Sequence, residues 1–259
     1  LSENKDRENL IFEKIGISTP FLSNDAIVHG IIFEIVSQCI YESRNNIKIN
    51  EYGCIPHPQH NFIGASPDGV VYEILEESVE QLSLYGRLLE IKNPSSRKIT
   101  NKIKPSYYSQ IIAQQEVCRL PICDFLETKY DFYDNMDDFL KCNIINKDID
   151  LDKIVNKNIK ICNLSSNGVE KGVLLKFKKE SSYESESLPF NIVYNKENIE
   201  YWMEEHIEKY KENNFEFERA IYWKLSEYSC KTVKFDKSYW LKLYQNSNTV
   251  WNEIIDLRR

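Results

Sequence analysis

The sequence predicts a folded α/β protein, on the evidence of its composition and its periodicity. Hydrophobic residues make up 42% of the 259 positions, and the chain has 16 Tyr and 12 Phe, a content typical of a packed core. Short apolar runs bounded by turn residues predict strands, and apolar residues three and four apart predict helices. A chain of this length can bury one substantial core, so we expect one elaborated domain over 1–259.

The N-terminal part is expected to form two helices and a strand. Residues 1–25 are polar and predict a helix followed by a loop. Asn24 or Asp25 can cap the second helix, over about 26–43. A strand over 47–52 and a loop over 53–60 follow. Helical spacing predicts that the core stripe of the second helix comprises Ile27, Ile31, Ile35, Val36 and Ile40.

Two short strands, 62–66 and 70–72, are expected on either side of Pro67-Asp68-Gly69, a strong turn sequence. An acidic connection, 73–86, leads to a third strand over 87–92. That strand is apolar enough to be buried. If it pairs beside the hairpin formed by the first two, Asp68 comes close to its end.

Asp68, Glu90 and Lys92 are the chemical motif of this region. Side chains alternate along a strand, so Glu90 and Lys92 project to one face and Ile91 to the other. Two carboxylates suit Mg²⁺ or Mn²⁺, which can acidify a bound water, and a lysine can orient or deprotonate that water. Taken singly, Pro-Asp-Gly is usually a turn and Glu-Ile-Lys an exposed strand edge. Their ordered combination favours a functional interpretation.

These motifs resemble the PD-(D/E)XK nuclease signature and, more narrowly, the λ-exonuclease-type or YqaJ-like viral recombinase family. The core of the resemblance is S-P-D-G at 66–69 and L-E-I-K-N-P at 89–94. It extends in order to H-G-I-I-F-E at 29–34, Y-Y-S-Q at 107–110, C-D-F-L-E at 123–127 and T-V-K-F-D at 232–236. Residues 1–25 show no visible match to the N-terminal segment of the family.

The resemblance implies a restriction-endonuclease-like α/β fold, a mixed central sheet flanked by helices. The core would comprise about 24–130 and 220–259, with an inserted lobe over about 131–219. The implied activity is metal-dependent hydrolysis of DNA, as a 5′→3′ exonuclease on duplex ends in viral or phage recombination or replication. The implied chemistry is a one-step attack by water without a covalent intermediate.

The same resemblance implies a role for each site residue. Asp68, Glu90 and the backbone carbonyl of Ile91 would bind the metal, and Lys92 would activate or orient the water. Glu34 would assist the metal site, although a solvated helix position is its alternative.

The helix expected over 107–118 would contribute to the same site. Gln110 and Tyr107 would orient Lys92 or the phosphate. The family often has a second Gln two residues after the first, and Ile112 stands there in this chain, which leaves the role of Gln114 open.

A basic run follows the third strand, although the net charge of the chain is −7. Affinity for DNA depends on Lys and Arg displacing counterions, so their distribution matters more than the total. We expect this run to contact phosphate and the acidic stretches 73–80 and 131–138 to face away from DNA. The expected DNA contacts are Ser66, Arg97, Lys98, Lys102, Lys104 and Tyr107.

The remaining elements are predicted from periodicity and turn residues. Ser106 is expected to cap the helix over 107–118. The others, in order, are a strand over 122–130, an unassigned insertion over 131–160, a strand over 172–177, a loop over 181–187, a helix over 198–213, paired strands over 220–225 and 230–235, and a closing helix over 238–257 whose aromatic residues are expected in the core.

Cysteine usage and the absence of apolar spans predict an intracellular protein, in the cytoplasm or nucleus of an infected host if viral. The seven cysteines are scattered and odd in number, which is typical of reduced thiols. Expected partners are duplex DNA ends, with an annealing protein and further copies of the chain as open additions, and no membrane. His57 and His60 resemble a metal pair by spacing only and are expected in a loop.

Three rival functions stay open from the sequence. A structure-specific or site-specific endonuclease would use the same fold and chemistry on another substrate. A non-catalytic DNA-binding or replication protein would keep the fold alone, although the intact Asp68, Glu90 and Lys92 argue against it. An RNA endonuclease of the cap-snatching kind would differ in recognition of the 2′-hydroxyl.

Overall fold

The computed structural model describes residues 2–17, 24–76, 78–141, 158–160 and 163–259. Most of the loop expected before the second helix lies outside these ranges, as do much of the unassigned insertion, Cys142 and Cys162. Within the described residues, no helix combines the length and apolar character needed to cross a bilayer. The described cysteines are free thiols.

The described part of the chain contains seven helices and nine strands. The helices are α1 (Ser2–Lys14), α2 (Asp25–Asn45), α3 (Val79–Leu82), α4 (Pro105–Cys118), α5 (Met136–Lys141), α6 (Lys196–Glu212) and α7 (Lys237–Leu257). The strands are β1 (Ile47–Asn50), β2 (Ile55–Pro56), β3 (Gly64–Ala65), β4 (Gly69–Ile74), β5 (Leu88–Lys92), β6 (Ile122–Tyr133), β7 (Lys171–Lys179), β8 (Ser182–Ser187) and β9 (Glu216–Lys234).

Seven strands form one mixed sheet in the order β1-β4-β5-β6-β9-β7-β8. Strands β5 and β6 are parallel, and every other neighbouring pair in this sheet is antiparallel. The predicted mixed sheet flanked by helices is therefore confirmed. The expected hairpin across Pro67-Asp68-Gly69 is wrong, because β3 pairs only with β2 in a separate two-stranded sheet. Residues 66–68 carry the chain from the small sheet to the large one.

Helices cover both faces of the large sheet. On one face, α2 packs against Tyr130, Leu174 and Trp223. On the other, α4 and α7 enclose Leu88 and Phe125. Because neighbouring residues of a strand face opposite ways, β5 supplies Leu89 and Ile91 to the α2 side and Leu88 to the α4 side.

The second helix begins as expected and buries part of the expected stripe. The Asn24 side chain accepts a hydrogen bond from the Ile27 backbone N–H at 3.0 Å and caps the helix. Ile31, predicted in the core, is 47% exposed. Val36 and Ile40 are buried as predicted, and Ile32 and Phe33 join them, because a face that includes a large aromatic side chain removes more apolar surface from water.

Three further expectations are wrong for local reasons. Residues 220–225 and 230–234 do not pair with each other but belong to the continuous strand β9, since the segment between them lacks Gly and Pro and forms a bulge opposite Lys129 and Tyr130. The loop expected over 181–187 contains the edge strand β8, where polar side chains are tolerated. Ser106 does not cap α4, which begins at Pro105 with Lys104 as its N-cap residue.

Residues within 131–219 extend the central sheet rather than forming a lobe separate from it. Strand β7 pairs with β9, and β8 pairs with β7. Helix α6 packs on the same sheet through Ile199 and Trp202. The division into a single domain with a core and an insertion stays a prediction.

Candidate active site

Asp68 reaches the end of β5 through the antiparallel pairing of β4 with β5. Gly69 lies opposite Leu89, and the Asp68 Oδ2 atom accepts a hydrogen bond from the Ile91 N–H at 2.6 Å. A side chain at Gly69 would place a Cβ atom 2.3 Å from Cγ2 of Ile49, so this close strand approach requires glycine. The predicted proximity of Asp68 to the third strand is confirmed, although the hairpin assumed for it is absent.

Glu90 and Lys92 project together from β5, as strand alternation predicts. The Lys92 ammonium group contacts the Glu90 carboxylate, which is fully buried, whereas Ile91 packs in the core on the opposite face. Burial lowers the pKa of Lys92, but the Glu90 and Asp68 carboxylates outweigh it and leave that pKa above its ordinary value. In this arrangement Lys92 is a cation, suited to orienting a water or neutralising charge.

The carboxylates of this site carry more negative charge than their surroundings balance. Burial, followed by repulsion from Glu90 and Glu34, raises the pKa of Asp68 to about 8. A divalent cation would remove this repulsion, so the donor set fits Mg²⁺ or Mn²⁺. No group of three or more His, Cys, Asp or Glu arranged for a metal occurs in the described part of the chain. A metal here would therefore have to complete its coordination with carbonyl oxygen and water.

Gln114, rather than Gln110, contacts the carboxylates. The Gln114 Nε2 atom donates to Glu90 Oε2 at 2.7 Å and to the Ser66 backbone oxygen at 3.3 Å. Gln110 is exposed and makes no hydrogen bond within the described residues, so the contact with Lys92 is absent, and the alternative contact with the phosphate stays a prediction. Gln114 lies one helical turn further along α4, where its buried side chain reaches the strand.

Glu34, Lys92 and Tyr107 line one cleft of about 590 Å³, together with Arg97 and Lys104. Burial, partly offset by the Lys92 charge, raises the pKa of Glu34. The Lys92 and Lys104 ammonium groups both lie 5.5 Å from the centre of the Tyr107 ring, within range of a cation–π interaction. The structure thus brings these predicted residues together in one basic, half-enclosed cleft.

The expected DNA contacts differ in their surroundings. Arg97 donates to the buried Glu127 at 2.6 Å, which fixes its guanidinium group beside the cleft. Lys98 and Lys102 are exposed. Ser66 is also exposed, and its hydroxyl donates to the Tyr52 backbone oxygen at 3.4 Å. Contact of these residues with DNA stays a prediction.

Sequence reasoning missed a buried polar network directly behind the site. The side-chain oxygen of Asn93, next to Lys92, accepts from the hydroxyls of Ser37 at 2.5 Å and Thr128 at 2.7 Å. Its Nδ2 atom donates to the Gly30 carbonyl at 3.2 Å, linking β5 to α2. A serine in the middle of an apolar helix stripe was the available signal, because a buried hydroxyl needs a partner.

His57, singled out by its spacing from His60, has structural surroundings. His57 is buried, and its Nδ1 atom accepts from the backbone N–H groups of Gln59 and His60 at 3.0 and 3.2 Å. The His57 ring stacks on Trp240. The His29 ring packs 4.6 Å from that of Phe33, at the wall of a neighbouring cleft.

The mixed central sheet flanked by helices is the restriction-endonuclease-like, PD-(D/E)XK type of fold. A crystal structure of an alkaline exonuclease, LHK-Exo from Laribacter hongkongensis, superposes with a TM-score of 0.51 at 15% identity, covering 99% of this chain and 81% of that one. A structure of LHK-Exo in complex with dAMP gives a TM-score of 0.49 at 15% identity, covering 100% and 82% of the two chains.

Residues 1–120 match the family model of the YqaJ-like viral recombinase domain. The match begins at residue 1, although the sequence analysis found no visible similarity over 1–25. An uncharacterized protein of Acanthamoeba polyphaga mimivirus is 33% identical over 273 residues, covering 96% of this chain and 47% of that protein. The chain therefore spans about half the length of this viral relative.

Proposed function

We propose that the protein is a metal-dependent DNA nuclease, acting as a 5′→3′ exonuclease on duplex ends in viral recombination or replication. The observation that carries the proposal is the constellation of Asp68, Glu90 and Lys92, joined by the Asp68–Ile91 hydrogen bond and the Glu90–Lys92 ion pair. The YqaJ-like match and the exonuclease fold support the choice of DNA and of an exonuclease.

Asp68 and Glu90 would hold the metal together with the carbonyl of Ile91. In a strand, the N–H and C=O groups of one residue lie on the same edge. Because the Ile91 N–H points to Asp68, its carbonyl lies on that edge too. A bound Mg²⁺ or Mn²⁺ supplies an acidified water and offsets charge on the phosphate.

The protein side chains around the metal would position the reacting groups. Lys92, held as a cation by Glu90, orients the attacking water or neutralises the scissile phosphate. Gln114 fixes the second oxygen of Glu90. Glu34, on α2, lines the same cleft as Lys92 and assists the metal site.

The test is degradation of linear, 5′-end-labelled duplex with Mg²⁺, beside closed circular duplex, for wild type and Lys92→Ala. We expect loss of the linear DNA only, and at least a hundredfold slower loss for Lys92→Ala. Lys48→Ala is the matched control, because Lys48 is also a strand lysine paired with a glutamate, Glu42, and lies away from the cleft.

Each alternative outcome points to a different function. Cutting of the circle would replace the exonuclease with an endonuclease. No cleavage of either substrate by wild type, with DNA still bound, would overturn the enzymatic proposal in favour of a binding protein. Equal rates for wild type and Lys92→Ala would overturn the assignment of the site.

A further inference from the structure

A second cleft, of about 640 Å³, lies against the first turns of α2 beside the catalytic cleft. Ala26 and Ser95 line both clefts, so the two adjoin. Phe132 in the second cleft is five residues beyond Glu127, the β6 partner of Lys92. At strand spacing this places Phe132 about 17 Å past the level of Lys92.

The wall of this cleft is an exposed aromatic surface. Phe132 is 51% exposed, unusual for a phenylalanine on a central strand. Its ring lies 6.3 Å from that of His29 and 5.7 Å from that of Phe33. Burial lowers the pKa of His29, which favours the neutral imidazole. The exposed Phe132 ring, backed by the buried Phe33 and flanked by His29, offers a surface on which a planar group can stack.

The charges of the cleft are mixed. Arg219 is exposed and makes no ion pair or hydrogen bond with the described residues. Lys176 is engaged by Glu218 at 2.9 Å, and Asp25 and Asp134 also line the cleft. A duplex, which presents phosphates outward, would meet little net attraction here. A single strand can instead turn its bases to the rings and one phosphate to Arg219.

We propose that this cleft binds single-stranded DNA, namely the strand that is not cut, as the catalytic cleft consumes its complement. The inference rests on the proposed nuclease function for the origin of the strand. Three observations support it: the two clefts adjoin, the Phe132 ring offers a stacking surface, and the Arg219 guanidinium makes no ion pair or hydrogen bond with the described residues.

The experiment measures binding of a fluorescent oligothymidine to the full chain in EDTA, where no cleavage can occur. We expect about tenfold weaker binding for Phe132→Ala, the loss typical of one stacking contact. Phe132→Trp should retain affinity, since it keeps the platform. Arg219→Ala should weaken binding and flatten its salt dependence. Tyr201→Ala is the control, because Tyr201 is 70% exposed on α6 and lines neither cleft.

The outcomes separate this inference from the proposed function. Unchanged affinity for Phe132→Ala, no binding of the oligothymidine by wild type, or equal weakening by Tyr201→Ala would each overturn it. If Phe132→Ala does not fold, the test rests on Phe132→Trp, and loss of oligothymidine binding by folded Phe132→Trp would overturn the inference. If wild type cleaves no DNA but still binds the oligothymidine through Phe132, the proposed nuclease function would be overturned and the inferred single-strand binding site would be retained.

Discussion

Replacing Asp68 by asparagine should stabilise the metal-free protein at alkaline pH while weakening metal binding. The pKa of Asp68 is raised to about 8 by burial and by the Glu90 and Glu34 carboxylates. The asparagine side chain would be isosteric and could still accept the hydrogen bond from the Ile91 N–H, but it would remove the repelled charge. The substitution thus isolates the electrostatic cost of the site from its packing.

The sign and size of the effect follow from proton linkage. A carboxyl group whose pKa is higher in the folded state binds its proton more tightly there, so stability is highest below about pH 4 and falls as pH rises to about 8. The slope is at most about 1.4 kcal/mol per pH unit. Between pH 5 and 8 this sets an upper limit of about 4 kcal/mol. Because the negative charge is shared among three carboxylates, we expect Asp68→Asn to raise the free energy of unfolding at pH 8 by about 2 kcal/mol.

The assay is thermal unfolding in EDTA at pH 5 and pH 8. Asp68→Asn should unfold about 4–8 °C above wild type at pH 8 and close to wild type at pH 5. Asp138→Asn is the control, because the Lys141 contact lowers the pKa of Asp138 and its neutralisation should bring no gain. Added Mg²⁺ should raise the unfolding temperature of wild type more than that of Asp68→Asn. A gain of equal size at both pH values would refute charge repulsion as its origin.

Two further substitutions test the site and the sheet. Gln114→Ala should lower kcat/KM about tenfold or more in steady-state assays, since it removes a hydrogen bond to the buried Glu90 carboxylate. Gln110→Ala should change kcat/KM little. Equal effects of the two substitutions would contradict the assignment of Gln114 as the residue that supports Glu90. Gly172→Ala should destabilise the protein by about 1–3 kcal/mol in chemical denaturation, because the new Cβ atom would lie 2.7 Å from the Trp223 ring. Gly30→Ala is the control: Gly30 is on a helix and a Cβ atom there has no neighbour within 4 Å, so this change should be neutral or stabilising. Similar losses of stability in the two variants would contradict the packing argument.

Local patterns predicted the geometry of β5, the strand of the candidate active site, because side-chain alternation along a strand does not depend on the rest of the fold. The alternation of Glu90, Ile91 and Lys92 is a property of any strand, and only one register places Asp68 beside them. The cap and periodicity of α2 and the periodicity of α7 were likewise sufficient to place those helices. The Pro67-Asp68-Gly69 turn was interpreted too locally, since its flanking strands join different sheets and Asp68 is positioned by β5 rather than by a hairpin.

What sequence patterns could not supply is the rotation of each helix against the sheet. Gln110 and Gln114 share a stripe of α4, and the choice between them is made by how α4 packs on β5 and β6 through Ile111 and Ile112. The same freedom misplaced Ile31 on α2. Rotating α2 so that Phe33 is buried brings Glu34 to the catalytic cleft and His29 to the neighbouring one. The burial of Phe33 in the core therefore sets the rotation of α2, and with it the residues that line both clefts.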